Sequence, residues 1–124
     1  MMKELTKAEE QVMKILWKLK EGIVKDIIEE MPDPKPAYNT VSTVIRVLEG
    51  KAFVDHKAYG NSHVYFPLIA EKEYKKFAFD KVMKSYFNNS YEHLVSFLVN
   101  EKKLTSEELD ELTKLAEQLK SKRP

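Results

Sequence analysis

Between Asn39 and Arg46 the chain concentrates small polar groups: Asn39, Thr40, Ser42, Thr43 and Arg46, with no carboxylate among them. Such a set suits the edges of base pairs in a DNA major groove. Hydroxyls at positions 42 and 43 donate or accept there, a threonine methyl contacts the thymine methyl, and Arg46 forks onto guanine or binds phosphate. Asn39 and Thr40 come first along the stretch and are set to meet base edges or the backbone. Lys51, just beyond, is placed for phosphate. Further on, Lys57, Tyr59, Asn61 and His63 are candidates for the backbone or the minor groove.

Other chemistries find less material. The chain has no cysteine, which excludes disulfides, thiol catalysis and thiolate-bound zinc. His56 and His63 can face each other across two short strands, but two histidines make an incomplete metal site. His93 lies beside Glu92 without a ligand at helical spacing. No cofactor and no metal are expected. With only three glycines there is no phosphate loop, and neither a nucleophile elbow nor a metal-binding helix motif occurs. The acidic pairs Glu9-Glu10 and Glu29-Glu30 read as solvated helix faces. An enzyme is not expected.

The elements that must position these residues are legible in the periodicity. Thr6 and Glu9 form a capping box, and Val12, Ile15, Leu16 and Leu19 follow as one apolar face of a helix that stops before Gly22. Trp17 widens that face. Ile27, Ile28 and Met31 predict a shorter helix from about Val24, ended by the prolines at 32, 34 and 36. Val41, Val44, Ile45 and Leu48 predict a third helix, from Tyr38 to Gly50, with Asn39, Ser42, Thr43 and Arg46 turned away from the stripe. Phe53–Lys57 and His63–Phe66 read as strands around the turn Tyr59-Gly60-Asn61-Ser62. Helices follow over Glu71–Phe87, from Tyr91 to about Asn100, and from the second capping box, Thr105 with Glu108. The chain therefore reads as mainly α with a small β-hairpin wing. The expected architecture is a winged helix-turn-helix domain over residues 1–70, followed by C-terminal helices over 71–124.

Composition neither supports nor forbids a nucleic-acid partner. The chain is 43% hydrophobic, enough for a core, and its formal net charge is +1. Both parts of the chain are close to neutral, whereas DNA-binding domains are usually strongly basic. Any phosphate contact must come from a local patch. The first ten residues lack an apolar secretory segment, and LVSFLV, at 94–99, is far too short to span a bilayer. A soluble cytoplasmic protein without membrane insertion is expected.

Three stretches, LTKAEEQVMKILW, TVSTVIRVLEGKAFV and VYFPLI, resemble the penicillinase-repressor family. Nearly the whole chain takes part, including the order of the C-terminal helices. The resemblance implies a transcriptional repressor that binds inverted-repeat operators in double-stranded DNA as a homodimer, upstream of antibiotic-resistance genes. Its winged domain would read DNA and its C-terminal helices would interlock. On that pattern Tyr74, Phe77, Phe79, Met83, Phe87, Leu94, Leu98, Leu109, Leu112 and Leu119 are the expected dimerisation residues. Two departures stand out. Ser42 and Val47 replace residues that are often basic in the family, and the cysteines of its copper-responsive branch are missing.

In the penicillinase branch of that family, a membrane-bound β-lactam-sensing receptor triggers a proteolytic cut in the C-terminal region. The aligned position here is Phe97-Leu98, without the family's Asn-Phe pair; the bland reading makes Leu94, Val95, Phe97 and Leu98 core alone. A second function class stays open on the residues themselves: a winged-helix module that binds protein and not DNA, since any surface helix has a polar face.

Overall fold

The computed structural model of the protein describes residues 2–121. Eight elements follow in order: α1 (Lys7–Leu19), α2 (Val24–Glu29), α3 (Tyr38–Gly50), β1 (Val54–Tyr59), β2 (Ser62–Pro67), α4 (Glu71–Phe87), α5 (Tyr91–Asn100) and α6 (Ser106–Ser121). This is the expected mainly helical chain with a two-stranded antiparallel hairpin after the third helix.

Helix ends follow from local chemistry. At the start of α1 the Glu9 amide donates to Thr6 Oγ1 (3.2 Å) and the Thr6 amide to Glu9 Oε1 (2.9 Å), so both orphan donors are satisfied. Asp26 plays the reciprocal part for α2, accepting from the Ile23 amide at 3.1 Å. Lys35 covers the other end of α2 by donating from Nζ to the Glu29 carbonyl at 2.9 Å. Thr105 and Glu108 repeat the capping box ahead of α6.

The chain divides into two compact units, Met1–Phe79 and Asp80–Pro124. In the first, Met13 and Leu16 of α1, Ile27 of α2, Ile45 and Leu48 of α3, and Phe53 are fully buried and form one core with Val12, Val24, Val41, Val54 and Tyr65. Each such side chain contributes about 1.5–3 kcal/mol relative to exposure. The hairpin pairs Val54 with Pro67 and Tyr59 with Ser62, and leaves Gly60-Asn61 as a two-residue turn. Gly60 has a φ of +57°, a conformation costly for residues with a Cβ. One feature is invisible to periodicity. Gly22 pairs with Tyr65 through both backbone bonds (2.9 and 2.8 Å), so the α1–α2 connection lies along the hairpin edge.

The first turns of α4 also belong to this core. Trp17 Nε1 donates to the Ile69 carbonyl at 2.8 Å. Beyond it the Tyr74 ring lies 6.0 Å from Trp17 and 5.8 Å, edge-on, from Phe53, and its hydroxyl donates to Glu10 at 3.2 Å. Burial raises the Tyr74 hydroxyl above its ordinary range. Phe77 and Ala78 pack beside it. Tyr74, expected from helical spacing among the dimerisation residues, thus lies in the first unit's own core, and Phe77 is partly buried against that core. Helical spacing shows that a face is apolar but not which neighbour covers it.

The second unit has a different balance. Met83 is its one buried side chain among those described, Phe87 meets Phe97 edge-on at 5.6 Å, and Leu94, Leu98 and Leu109 are half-buried. Phe79, immediately before it, and Val82, Tyr86, Val95, Val99, Leu112 and Leu115 within it are substantially exposed. The side chain of Leu119 lies outside the described residues. No helix among the described residues is long and apolar enough to cross a membrane.

Candidate nucleic-acid interface

On α3 the aliphatic and polar sides separate by helical geometry. Val41, Ile45 and Leu48 are buried, while Asn39, Thr40, Thr43 and Arg46 are exposed. From Asn39 to Arg46 the axis advances about 10 Å at 1.5 Å per residue, a length suited to a major groove about 12 Å wide. The Thr43 hydroxyl donates to the Asn39 carbonyl at 2.9 Å, which fixes its rotamer and leaves its lone pairs and methyl outward.

Ser42 does not project as expected. It is only 6% exposed, and its Oγ accepts from Arg46 Nη2 at 3.1 Å. That bond, between residues one helical turn apart, steers the guanidinium. A concavity of about 490 Å³ lies between α2, α3 and the hairpin, with Ser42, Arg46, Asn61 and His63 in its walls. Lys25 of α2 and Tyr38 line it as well. Both escaped the sequence reading, although Tyr38, 54% exposed, falls outside the α3 stripe and was open to inference. Val47, already singled out as a departure from the family, is 42% exposed and offers a methyl surface.

Lys51 is also elsewhere than expected. Its Nζ sits 2.7 Å from Glu9 Oε1, with Lys51 22% and Glu9 8% exposed at the side chain. Glu9 is therefore buried and paired, contrary to its reading as part of a solvated face. Burial pushes its carboxyl up. The Lys51 ammonium and the Thr6 amide and hydroxyl outweigh that effect and hold it below its ordinary value.

On the wing, Lys57, Tyr59, Asn61 and His63 are all exposed, Tyr59 at 66%. Lys57 is 3.0 Å from Glu21 and 5.9 Å from the Tyr59 ring centre; the Glu21 carboxylate raises its ammonium. His56 and His63 do face each other, stacked at 4.2 Å between ring centres. Two expected phosphate ligands, Lys51 and Lys57, are thus already paired with carboxylates. Among the described residues Arg46 bonds to neutral Ser42, and Lys25 is exposed on α2.

Comparison with known proteins agrees with this geometry. The sequence pattern of the penicillinase repressor family matches residues 5–118. The methicillin resistance regulatory protein MecI of Staphylococcus aureus is 29% identical over 110 residues, covering 88% of this chain and 89% of MecI. The penicillinase repressor of Bacillus licheniformis is 25% identical over 121 residues, 97% of this chain and 94% of the repressor. Among solved structures, the DNA-binding domain of the repressor BlaI superposes with a TM-score of 0.52 at 28% identity, over 60% of this chain and 92% of that domain. The monomeric form of B. licheniformis BlaI in complex with the blaP half-operator gives 0.50 at 28% identity, with the same coverage. Winged fold, exposed third-helix face and family match converge: the chain belongs to the penicillinase repressor family of transcriptional repressors, not enzymes, with a winged-helix DNA-binding domain followed by C-terminal helices.

Proposed function

We propose that the protein is a cytoplasmic repressor that binds an inverted-repeat operator as a homodimer, one winged domain per half-site, and controls β-lactam-resistance or related genes. The observation that carries the reading is the exposed face of Asn39, Thr40, Thr43 and Arg46 on a helix whose other side is held by the core. The BlaI domain bound to a half-operator is the same fold at 28% identity, which supports one half-site per copy. In this reading α3 enters the major groove, Thr43 and Arg46 read base edges, and the wing tip follows the backbone. Ser42 acts by aiming Arg46.

Dimerisation is assigned to the second unit, where exposed apolar side chains outnumber buried ones among those described. So small a unit supplies too little core to stand alone, and a second copy provides the missing contacts. Derepression is assigned to proteolysis in α5, between Phe97 and Leu98, triggered by a membrane-bound β-lactam-sensing receptor. Phe97 is 48% exposed, which favours access.

The test is selection of bound fragments from genomic DNA with the purified full chain, followed by gel retardation at two salt concentrations. An inverted repeat should be recovered. With about six to ten phosphate contacts, affinity should fall by roughly 10³–10⁵ between 50 and 200 mM salt. Absence of any retarded complex at the lower salt would overturn the reading.

A further inference from the structure

Where α3 gives way to the wing, three donor groups converge that the DNA-reading face does not use. Glu49 lies in the last turn of α3; Asp55 and His56 are the second and third residues of β1. One ligand atom from each, two carboxylate oxygens and an imidazole nitrogen, lies within 4.8 Å of the others. His56 Nδ1 points at Glu49 Oε2 and is in contact with it. The Asp55 carboxylate is held in place because its Oδ1 accepts the His56 amide at 2.8 Å. Considered as a histidine pair the site is incomplete; the carboxylates, brought in by the turn, make it three-sided.

We propose that Glu49, Asp55 and His56 form a binding site for one divalent transition-metal ion of the zinc class. The donor set argues for that class. Imidazole with carboxylates and no thiolate suits Zn²⁺, Co²⁺ or Ni²⁺ better than Cu(I), and a nitrogen ligand disfavours Mg²⁺ and Ca²⁺. Ligands about 2.1 Å from a tetrahedral ion lie about 3.4 Å apart. Gathering these three atoms therefore needs side-chain adjustments on the order of 1 Å, which half-buried and exposed groups can make. Water completes the coordination.

His63 is outside the ligand set. Its ring lies parallel to His56, 13° between planes, and packs against the face of the imidazole. It orients His56 without contributing a donor. A bound ion would join the end of the recognition helix to the first half of β1, across the reversal at Ala52, whose φ is +63°. The wing would then keep one angle to α3.

Zinc titration of the full chain by calorimetry, with folding of each variant checked by far-UV circular dichroism, is the deciding experiment. Wild-type protein should take up one Zn²⁺ per chain, and Zn²⁺ should raise its melting temperature. His56→Ala and Asp55→Asn should weaken uptake by about tenfold or more, since loss of an outer-shell partner alone costs that much, and should abolish the thermal response. His93→Ala, remote in sequence from these donors, should bind as the wild type does. No uptake by wild-type protein, undiminished uptake by His56→Ala, or loss confined to His93→Ala would each overturn the proposal. None of these readouts involves DNA, so the outcome is independent of the operator assignment.

Discussion

Lys51, at the C-cap of α3, closes on Glu9 in the first turn of α1, Nζ to Oε1 at 2.7 Å across 42 positions of sequence. Lys51 Nζ also reaches the Glu4 carbonyl at 3.3 Å. The pair ties the start of α1 to the end of α3 and supplies the cation for a buried carboxylate that otherwise accepts only the Thr6 amide among the described residues.

Lys51→Ala leaves Glu9 buried without its cation, so unfolding in urea should show a loss of about 1–3 kcal/mol. The pair also fixes the acid side of the stability curve. The folded Glu9 carboxyl lies below its unfolded value, so its contribution is fully present above the unfolded value of about 4.3. That contribution is lost as pH falls through the folded value. Thermal melts of wild type and Lys51→Ala between pH 7 and pH 3 should therefore converge at the acid end. A constant gap would contradict the pairing.

Recognition residues should separate by what they touch. Thr43→Ala and Arg46→Ala should each cost about 1–3 kcal/mol on the best operator and relax preference at one position of each half-site. Lys57→Ala should weaken all sequences by a similar, smaller factor, because its ammonium is exposed and already shared with Glu21. Ser42→Ala should partly copy Arg46→Ala, as the 3.1 Å bond that aims the guanidinium is lost. Competition binding against single-base operator variants reads all four. An Arg46→Ala protein with unchanged base preference would remove Arg46 from the reading face.

Association should depend on the second unit. Leu112→Asp places a charge on an exposed apolar position of α6 and should shift the protein to monomer in sedimentation at micromolar concentration, with the first unit still folded. Truncation after Phe97 should give the same monomer. Induction of cells carrying the cognate receptor should produce a fragment ending near Phe97. A dimer unaffected by Leu112→Asp, or a chain intact after induction, would refute the respective assignment.

Much of this protein is determined locally. Capping boxes at Thr6 and Thr105, the stripe Val41-Val44-Ile45-Leu48 and the Gly60-Asn61 turn each depend on residues a few positions apart. Element order, helix limits and the exposed α3 positions 39, 40, 43 and 46 were therefore readable from the chain. Tertiary packing alone decided the long-range matters. A lone lysine after a helix looks like a phosphate ligand until α1 brings Glu9 to it, and Ser42 looks outward although the fold buries it beneath Arg46's reach. Tyr74 belongs to a helix with two apolar stripes, and only the placement of Trp17 and Phe53 shows which one the first unit covers. The Glu49–Asp55–His56 cluster likewise exists because a chain reversal puts a helix end beside a strand, and short-range periodicity carries no record of such meetings.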